Sequence, residues 1–332
     1  MIFKCVNCGG NVVYSPEKHA MYCPYCESED SEEIQHTGEE QELTICPDCG
    51  GEIPVQEHTS ATQCPYCSNY LIFDSRVSGK YLPKKLIPFQ LGKETCKEKL
   101  REKFKKKVFA PTDFLSEVRL NGMQGTYVPF WMYDYDVNAD YQGEGTKVRT
   151  WTTGDTRYTE TSYYDIRRNA DIDFREIPVD ASVMMPDDVM DLMEPYDYHQ
   201  MEDFQPKYMS GFFSEKYNME AELVEGRARE KMQEDTDQIM KNQVSGYNSV
   251  RKIRNDITVK KAEHNYNLLP VWKYLYEYKG ILYPFYVNGQ TGKIVGIVPI
   301  SKAKVAAYSL TLWGCLSVIG ILLTVIINFI GV

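Results

Sequence analysis

Apolar and polar side chains alternate over residues Tyr127–Tyr141. The odd positions are aromatic or aliphatic, whereas Asp134, Asp136 and Asp140 fall on even positions. Because successive side chains of a β-strand point to opposite faces, this period of two predicts a strand with one buried face. Half-buried strands are typical of antiparallel sheets. We interpret the aspartates, with Met132, as the solvated face, since they lack the loop spacing of a calcium site.

Helices are predicted over residues 93–108 and 219–244. In the first helix, apolar residues recur at every fourth position, which predicts the buried face: Cys96, Leu100, Phe104 and Val108. Cys96 is therefore interpreted as a small core residue rather than a nucleophile. The basic cluster at Lys103–Lys107 is interpreted as a solvated helix face. Anionic lipid and then nucleic acid are its alternative contacts.

Strand patterns and turn residues fill the rest of the central region. Residues 146–164 predict a hairpin that turns at residues 153–155, and residues 268–298 predict a three-stranded meander. Gly289–Lys293 resembles part of a phosphate-binding loop, but strands flank it, so we interpret it as a hairpin turn. The fold class predicted for residues 81–300 is an α+β domain with an antiparallel sheet.

The longest apolar run comes last, from Val305 to Val332, and no side chain in it is charged. About 20 apolar residues cross the hydrocarbon core of a bilayer, so residues 305–332 predict one transmembrane helix. Lys302 and Lys304 precede the run, and the positive-inside rule then predicts a cytoplasmic N-terminal part. We expect a single-pass protein of the cell membrane that contacts lipid through its C-terminal helix.

Eight of the ten cysteines form a duplicated unit. Each unit opens with Cys-x-x-Cys-Gly-Gly and closes with Cys-Pro-Tyr-Cys, and the second lies 41 positions after the first. The two sets are Cys5, Cys8, Cys23 and Cys26, followed by Cys46, Cys49, Cys64 and Cys67. Four thiolates at this spacing surround one ion tetrahedrally, which predicts two closed structural Zn2+ sites as the cofactors. Iron takes the same ligands, and the ligands alone do not distinguish the two metals.

The cysteine units divide the N-terminal region into small β domains. We predict a zinc ribbon at residues 1–30, an acidic linker at 31–42 and a second ribbon at 43–80. Residues 27–42 carry eight acidic side chains and no basic one, a composition typical of solvated linkers.

Charge argues against nucleic acid as a partner. Residues 1–80 hold 13 Asp and Glu against four Lys and Arg, in a chain of formal net charge −10. Neutralising phosphates supplies most non-specific nucleic-acid affinity, and these ribbons would instead repel them. Catalytic signatures such as GxSxG and HExxH are absent from the sequence. We therefore expect no enzymatic activity, and we identify no small-molecule substrate.

The combination of motifs resembles a known family. Beside the tandem cysteine units stand Val128–Trp131, Leu269–Trp272 and Asn288–Lys293, followed by one apolar helix. Together they resemble the bacterial membrane-anchored zinc-ribbon proteins, also described as TFIIB-type. The resemblance covers nearly the whole chain and implies the eight cysteines as metal ligands, with no catalytic residue. Some relatives are linked to phage-shock and SPFH-domain membrane-stress proteins, which implies a platform at the inner membrane face.

These features predict a non-enzymatic adaptor or scaffold that recruits protein partners to the cytoplasmic membrane face. The paired, acidic ribbons are its expected docking surfaces. The alternative is a transcription-factor-like zinc-ribbon regulator that binds nucleic acid, which the ribbon type and the Lys103–Lys107 cluster favour.

Overall fold

The computed structural model describes residues 1–36, 45–53 and 55–330. The strands are β1 (Ile2–Cys5), β2 (Val13–Ser15), β3 (Ala20–Tyr22), β4 (Glu32–Gln35), β5 (Thr59–Gln63), β6 (Tyr70–Ile72), β7 (Lys85–Leu86), β8 (Gln124–Thr153), β9 (Thr156–Asp180), β10 (Glu202–Asp203), β11 (Phe213–Glu215), β12 (Ser249–Tyr278), β13 (Ile281–Asn288) and β14 (Ile294–Gly296). The helices are α1 (Lys93–Phe104), α2 (Glu117–Leu120), α3 (Asp187–Met193), α4 (Ala221–Asn242) and α5 (Lys302–Ile330).

Three long antiparallel strands organise the fold. β8 lies between β9 and β12 and forms backbone pairs with both. At about 3.3 Å per residue, the 30 residues of β8 extend for about 100 Å. The strand predicted over Tyr127–Tyr141 is thus confirmed as the inner half of a longer one. The predicted hairpin is also confirmed, and Gly154 takes a positive φ of 59° in its turn.

Helices cover both faces of the inner half of this sheet. α4 packs on β8 and β9, where Ala228 and Met232 join the core cluster that contains Tyr133 and Tyr135. On the opposite face, Met190 and Met193 of α3 pack with Met132. We predicted Met132 on the solvated face; this is wrong, because α3 buries it to 1% exposure.

The first long helix ends earlier than its predicted limit. α1 stops at Phe104, so Val108 lies beyond it and is 64% exposed. The prediction that Val108 continues the buried face is therefore wrong. Cys96, Leu100 and Phe104 are buried as predicted.

Both cysteine units pack on this core. In the second unit, β5 pairs with β6 and with β11, and β11 runs parallel to β8 in the large sheet. In the first unit, the amide of Tyr14 donates to the carbonyl of Ser210, and its ring lies 5.1 Å from that of Tyr208. An ion pair of 2.6 Å between Lys4 and Asp48 joins the two units. The ribbons are therefore parts of the folded domain.

The segment predicted as an acidic linker at 31–42 is partly a strand. Residues Glu32–Gln35 form β4, which pairs antiparallel with β1 of the first ribbon. The linker prediction is wrong for these residues, because backbone pairing with β1 overrides their acidic composition. Residues 37–44 and 54, from the predicted linker and second ribbon, lie outside the described residues, as do the last two of the predicted anchor.

The C-terminal meander and helix follow the predicted order. β12, β13 and β14 pair consecutively, and the turn after Asn288 joins two of these strands, as predicted. In α5, the segment Lys302–Ile326 is long and apolar enough to cross a membrane, and none of it is buried against the protein. Across the described ranges it is the one helix with these properties.

An ion-pair cluster fastens α4 to the end of β9. The Arg227 guanidinium lies 2.8 Å from the fully buried carboxylate of Asp180 and 3.1 Å from both Asp187 and Asp191. Burial raises the pKa of Asp180 to about 6, although the hydrogen bond from Arg227 opposes that shift. The folded state therefore holds this proton more tightly than the unfolded chain, and Asp180 lowers stability as the pH rises from about 4 to about 6.

Replacing Arg227 by methionine is expected to destabilise the protein by about 3–5 kcal/mol at neutral pH, because it leaves a buried carboxylate without its partner. The loss should shrink towards pH 4–5, where Asp180 is protonated. Denaturant unfolding of the chain in detergent, followed by tryptophan fluorescence, measures both effects.

The matched control is Arg229→Met on the same helix. Arg229 pairs with Glu225 at the surface, so its loss should cost about 1 kcal/mol or less. Equal destabilisation of the two variants, or a loss from Arg227→Met that is independent of pH, would contradict the role assigned to this cluster.

Candidate metal centres

The fold brings the thiols of each predicted set together. In the first set the sulfurs of Cys5 and Cys26 are 3.6 Å apart, and those of Cys8 and Cys23 are 3.5 Å apart. In the second set the corresponding distances, Cys46 to Cys67 and Cys49 to Cys64, are both 3.7 Å. All four sulfurs of each set lie within 4.8 Å of one another.

These distances fit one tetrahedral ion per set. Zinc–sulfur bonds of about 2.3 Å place the sulfurs of a tetrahedron about 3.8 Å apart. In each set two cysteines are buried, and at least one is exposed. Four thiolates leave no open coordination position, so the chemistry of both sites is structural: an ion there would cross-link the two turns of its ribbon.

The turns that carry the cysteines have the same backbone geometry in both units. Gly9 and Gly50 each have a φ of 72°, and each donates its amide to the first cysteine carbonyl of its unit at 2.8 Å. L-residues rarely adopt this left-handed conformation, which explains the first glycine of the Cys-x-x-Cys-Gly-Gly motif. A closing-turn residue, Glu27 or Ser68, also has a positive φ in each unit.

The second glycine of each motif has a different role. A Cβ atom on Gly10 would lie 2.5 Å from the ring of Tyr25, and one on Gly51 would lie 2.4 Å from the ring of Tyr66. The tyrosine of each Cys-Pro-Tyr-Cys turn therefore lies against the glycine of the opposite turn. This contact holds the two cysteine pairs at the separation that a shared ion requires.

Neighbouring polar groups distinguish the two centres. In the first, the Ser28 hydroxyl lies 3.2 Å from the sulfur of Cys5 and 3.1 Å from that of Cys26. This hydrogen bond lowers the pKa of Cys5 to about 5 and also lowers the pKa of Cys26. Asn69 replaces Ser28 in the second unit, and its amide donates instead to Asp48 at 2.6 Å. The first centre thus has an extra hydrogen bond that favours thiolate ligands.

The three aspartates singled out from the sequence have structural partners. Arg175 lies 2.7 Å from Asp136, and the amide of Glu176 donates to Asp134 at 2.8 Å. Asp140 pairs with Arg254 at 3.7 Å. Most of this aspartate row is half-buried, and its charges are balanced by Arg and backbone donors rather than arranged around a cation.

The remaining family-like motifs meet in the core. Leu269 pairs with Val128, and Val271 pairs with Asn288, so the three motifs lie side by side in the sheet. The side chain of Asn288 accepts from the amides of Gln290 and Thr291 at 2.9 Å and closes the turn. These motifs specify packing and turn geometry.

Sequence reasoning predicted the hairpin of the outer sheet but missed its continuity with the inner strand and its pairing with β12. Beyond Tyr141, residues 142–167 and 246–254 form what we call the distal arm, and α4 covers only its base, where Met240 packs with Ile166. Gly143 and Gly145 allow close approach of the Tyr141 and Tyr247 rings within a continuous strand. The sequence feature that indicated a long strand here was the lack of turn residues between Thr146 and the turn at Gly154.

Metal analysis of the purified full-length chain is expected to give two zinc ions per molecule. Cys26→Ala and Cys67→Ala should each leave about one, because three thiolates hold an ion much less tightly than four. Cys315→Ala, in α5 and outside both sets, is the control and should leave two. Iron in place of zinc, or two ions retained by the ligand variants, would contradict the assignment.

Two glycine variants should fail for different reasons. Gly10→Ala creates a clash with Tyr25, whereas Gly9→Ala imposes a strained φ. Both should lower zinc affinity in the first centre, by about tenfold or more. Adding Tyr25→Ala should restore affinity to Gly10→Ala and not to Gly9→Ala, which zinc competition with a chelator measures. Equal rescue of both, or rescue of neither, would show that the tyrosine contact does not set the turn spacing.

Comparison with known proteins identifies the family of the chain. No family model and no solved structure matches the chain. It is 40% identical over 314 residues to the uncharacterized protein YdjG of Bacillus subtilis (strain 168), an alignment that covers 92% of each chain. Such identity over nearly the whole of both sequences shows that the chain belongs to the same protein family as YdjG.

Proposed function

We propose that this protein is a non-enzymatic adaptor, anchored in the cell membrane by α5, that recruits protein partners to the cytoplasmic face. The observation that carries the proposal is the distal arm, whose outer part, residues 147–165, is almost entirely exposed on both faces. Surfaces of this kind, aromatic and rimmed by charge, are typical of protein interaction sites.

One face of the arm carries a row of aromatic and basic side chains. The rings of Trp151 and Tyr158 stack at 5.7 Å, and Arg149 lies 5.6 Å from the Trp151 ring. Further in, the ammonium group of Lys147 lies 5.3 Å from the ring of Tyr164. Trp151 and Tyr158 are 41% and 47% exposed, although large aromatic rings are usually buried. We call these five side chains the aromatic ladder.

The charge of the arm indicates the kind of partner. The arm holds seven Lys and Arg against four Asp and Glu, within a chain whose net charge is −10. Tyrosine, tryptophan and arginine are the side chains that most often dominate binding energy at interfaces. An acidic protein surface is therefore the partner that complements the ladder.

We expected the ribbons to be docking surfaces, but the proposal assigns them a structural role. Because they form part of the folded core, their zinc ions would hold the domain together rather than present free docking surfaces. The acidic outer surface of the ribbons stays available as a secondary contact.

The arrangement of the titratable groups supports the non-enzymatic role that we propose. A cleft of about 630 Å3 between β9, α3 and α4 holds several of them. In it, Lys231 lies 2.7 Å from both Asp191 and Glu194, and burial raises the pKa of Glu194. These are carboxylates neutralised by neighbouring cations, without a nucleophile beside a base. Cys96 is fully buried in α1.

A nucleic-acid regulator is the second candidate, and the ladder is the observation that favours it. Basic grooves with stacked aromatic rings bind single-stranded nucleic acid through base stacking and charge. A mobility-shift assay of the full chain at about 50 mM salt distinguishes the two, because electrostatic binding is strongest at low salt. A shift that the ladder variants abolish would favour the regulator and contradict the adaptor.

Truncation of the ladder tests the adaptor directly. Trp151→Ala with Tyr158→Ala should weaken partner capture by about 30-fold, since losing a central aromatic contact costs about 2 kcal/mol. Affinity purification from detergent-solubilised membranes, quantified against the unmodified chain, measures the loss.

The control changes the other face of the same strands. Val148→Ala with Tyr163→Ala removes two side chains that are 42% and 68% exposed, and it should leave capture within about twofold. Both double variants should retain two zinc ions. A partner that both variants keep would contradict the assignment of the ladder, and the lack of any captured partner would contradict the adaptor.

A further inference from the structure

A groove of about 670 Å3 lies beside the start of α5. One wall is the end of α1 with the segment that follows it, from Lys103 to Ala110, and the other is residues 296–300, which lead from β14 into the helix. The amide of Ser301 donates to the carbonyl of Phe109 at 2.8 Å, and the ammonium group of Lys304 donates to that of Ala110 at 2.7 Å. The groove is therefore fixed rigidly to the first turn of the candidate membrane span.

The position of the groove corresponds to a membrane interface. The ring of Phe109 packs edge-on against Tyr308 at 5.5 Å. Tyr308 follows Lys302 by six residues, so this contact lies about 9 Å along α5 from its first residue. Tyrosine at the end of a membrane span commonly sits at headgroup level. A bilayer that contains α5 would therefore bring its headgroups to the mouth of the groove.

The lining combines apolar side chains with positive charge. Val108, Ile297 and Ile300 are 64%, 80% and 65% exposed, which is unusual for three neighbouring aliphatic residues in water. Lys106 and Lys107 line the same groove, and both are exposed. None of the described residues that line it is acidic.

Among the described residues neither Lys106 nor Lys107 forms an ion pair, and the nearby Glu102 lies 3.9 Å from Lys105 instead. After Glu277 the chain contains no Asp or Glu, while Lys293, Lys302 and Lys304 add further positive charge. Lys103 donates to the carbonyl of Ile294, and its pKa is lowered by burial and by Lys293 nearby. The groove is thus a local concentration of cations in a protein with a net charge of −10.

We propose that this groove binds an anionic phospholipid, with the phosphate between Lys106 and Lys107 and an acyl chain along Val108, Ile297 and Ile300. The occupant follows from continuity with the membrane span and from charge. Basic residues at a membrane surface attract anionic lipids, and exposed aliphatic side chains are stable in the interfacial layer. The inference rests on the proposed anchoring by α5 and adds lipid selectivity to it.

Lipid retention by the purified full-length chain tests the groove. The chain, in neutral detergent with equal amounts of phosphatidylglycerol and phosphatidylcholine, is analysed by native mass spectrometry. We expect at least one retained phosphatidylglycerol per chain, preferred over phosphatidylcholine. Lys106→Gln with Lys107→Gln should lower that preference by about tenfold or more. Ile297→Ser should lower retention of the lipid through loss of acyl contact.

The control removes equal charge outside the groove. Lys105→Gln with Lys279→Gln changes two lysines that do not line it, and the preference should stay within about twofold. If both double variants lose the preference alike, the effect is one of net charge and the groove is not the site. Soluble glycerol phosphate should not displace the lipid, and displacement at matched concentration would overturn the lipid assignment.

Vesicle flotation distinguishes a failure of the groove proposal from a failure of the membrane anchoring on which it rests. The chain and all variants should float with vesicles of pure phosphatidylcholine, because α5 inserts without regard to headgroup charge. A chain that floats but shows no preference for phosphatidylglycerol overturns the groove alone. A chain that does not float with any vesicle overturns the anchoring.

Discussion

Backbone pairing along β8 is the constraint on which the rest of the structure depends. Its neighbours β9 and β12 satisfy its amides and carbonyls on both edges, so the strand continues wherever they do. What changes along its length is the cover over its faces. Near Phe130 both faces are buried, from Tyr135 to Gly145 one face is, and from Lys147 to the turn both faces are exposed. One continuous sheet therefore forms the buried core at one end and the exposed distal arm at the other.

The metal centres are coupled to this sheet through a short chain of contacts. The second ribbon continues into β5, β5 pairs with β11, and β11 runs beside β8. The first ribbon is held by β4 on β1 and by the contact of Tyr14 with Tyr208. Because a small ribbon buries little apolar surface, metal binding would contribute much of its folding free energy. An ion lost from either centre would loosen one edge of the domain.

Local sequence patterns predicted local structure well. The features that they missed are determined by contacts between residues distant in sequence. Alternation identified the inner part of β8, and the repeated cysteines identified two four-thiol clusters, because both signals are complete within short segments. Met132 was misplaced because the α3 residues that cover it come about 60 positions later. The strand at Glu32–Gln35 was missed because its partner, β1, overrides an acidic composition. The packing of the ribbons on the domain had no local signal at all.

Strand direction also separates the two surfaces to which we assign binding. β12 runs from Ser249, in the distal arm, to Tyr274, which pairs with Phe285 next to the strand that leads into α5. At about 3.3 Å per residue these two points are about 80 Å apart along the sheet. A partner on the aromatic ladder would therefore not compete with lipid for space, and contact at one end need not disturb the other. The rigid sheet between them fixes their separation, which a flexible linker of equal length would leave variable. That fixed spacing is the property that distinguishes a scaffold from a simple tether.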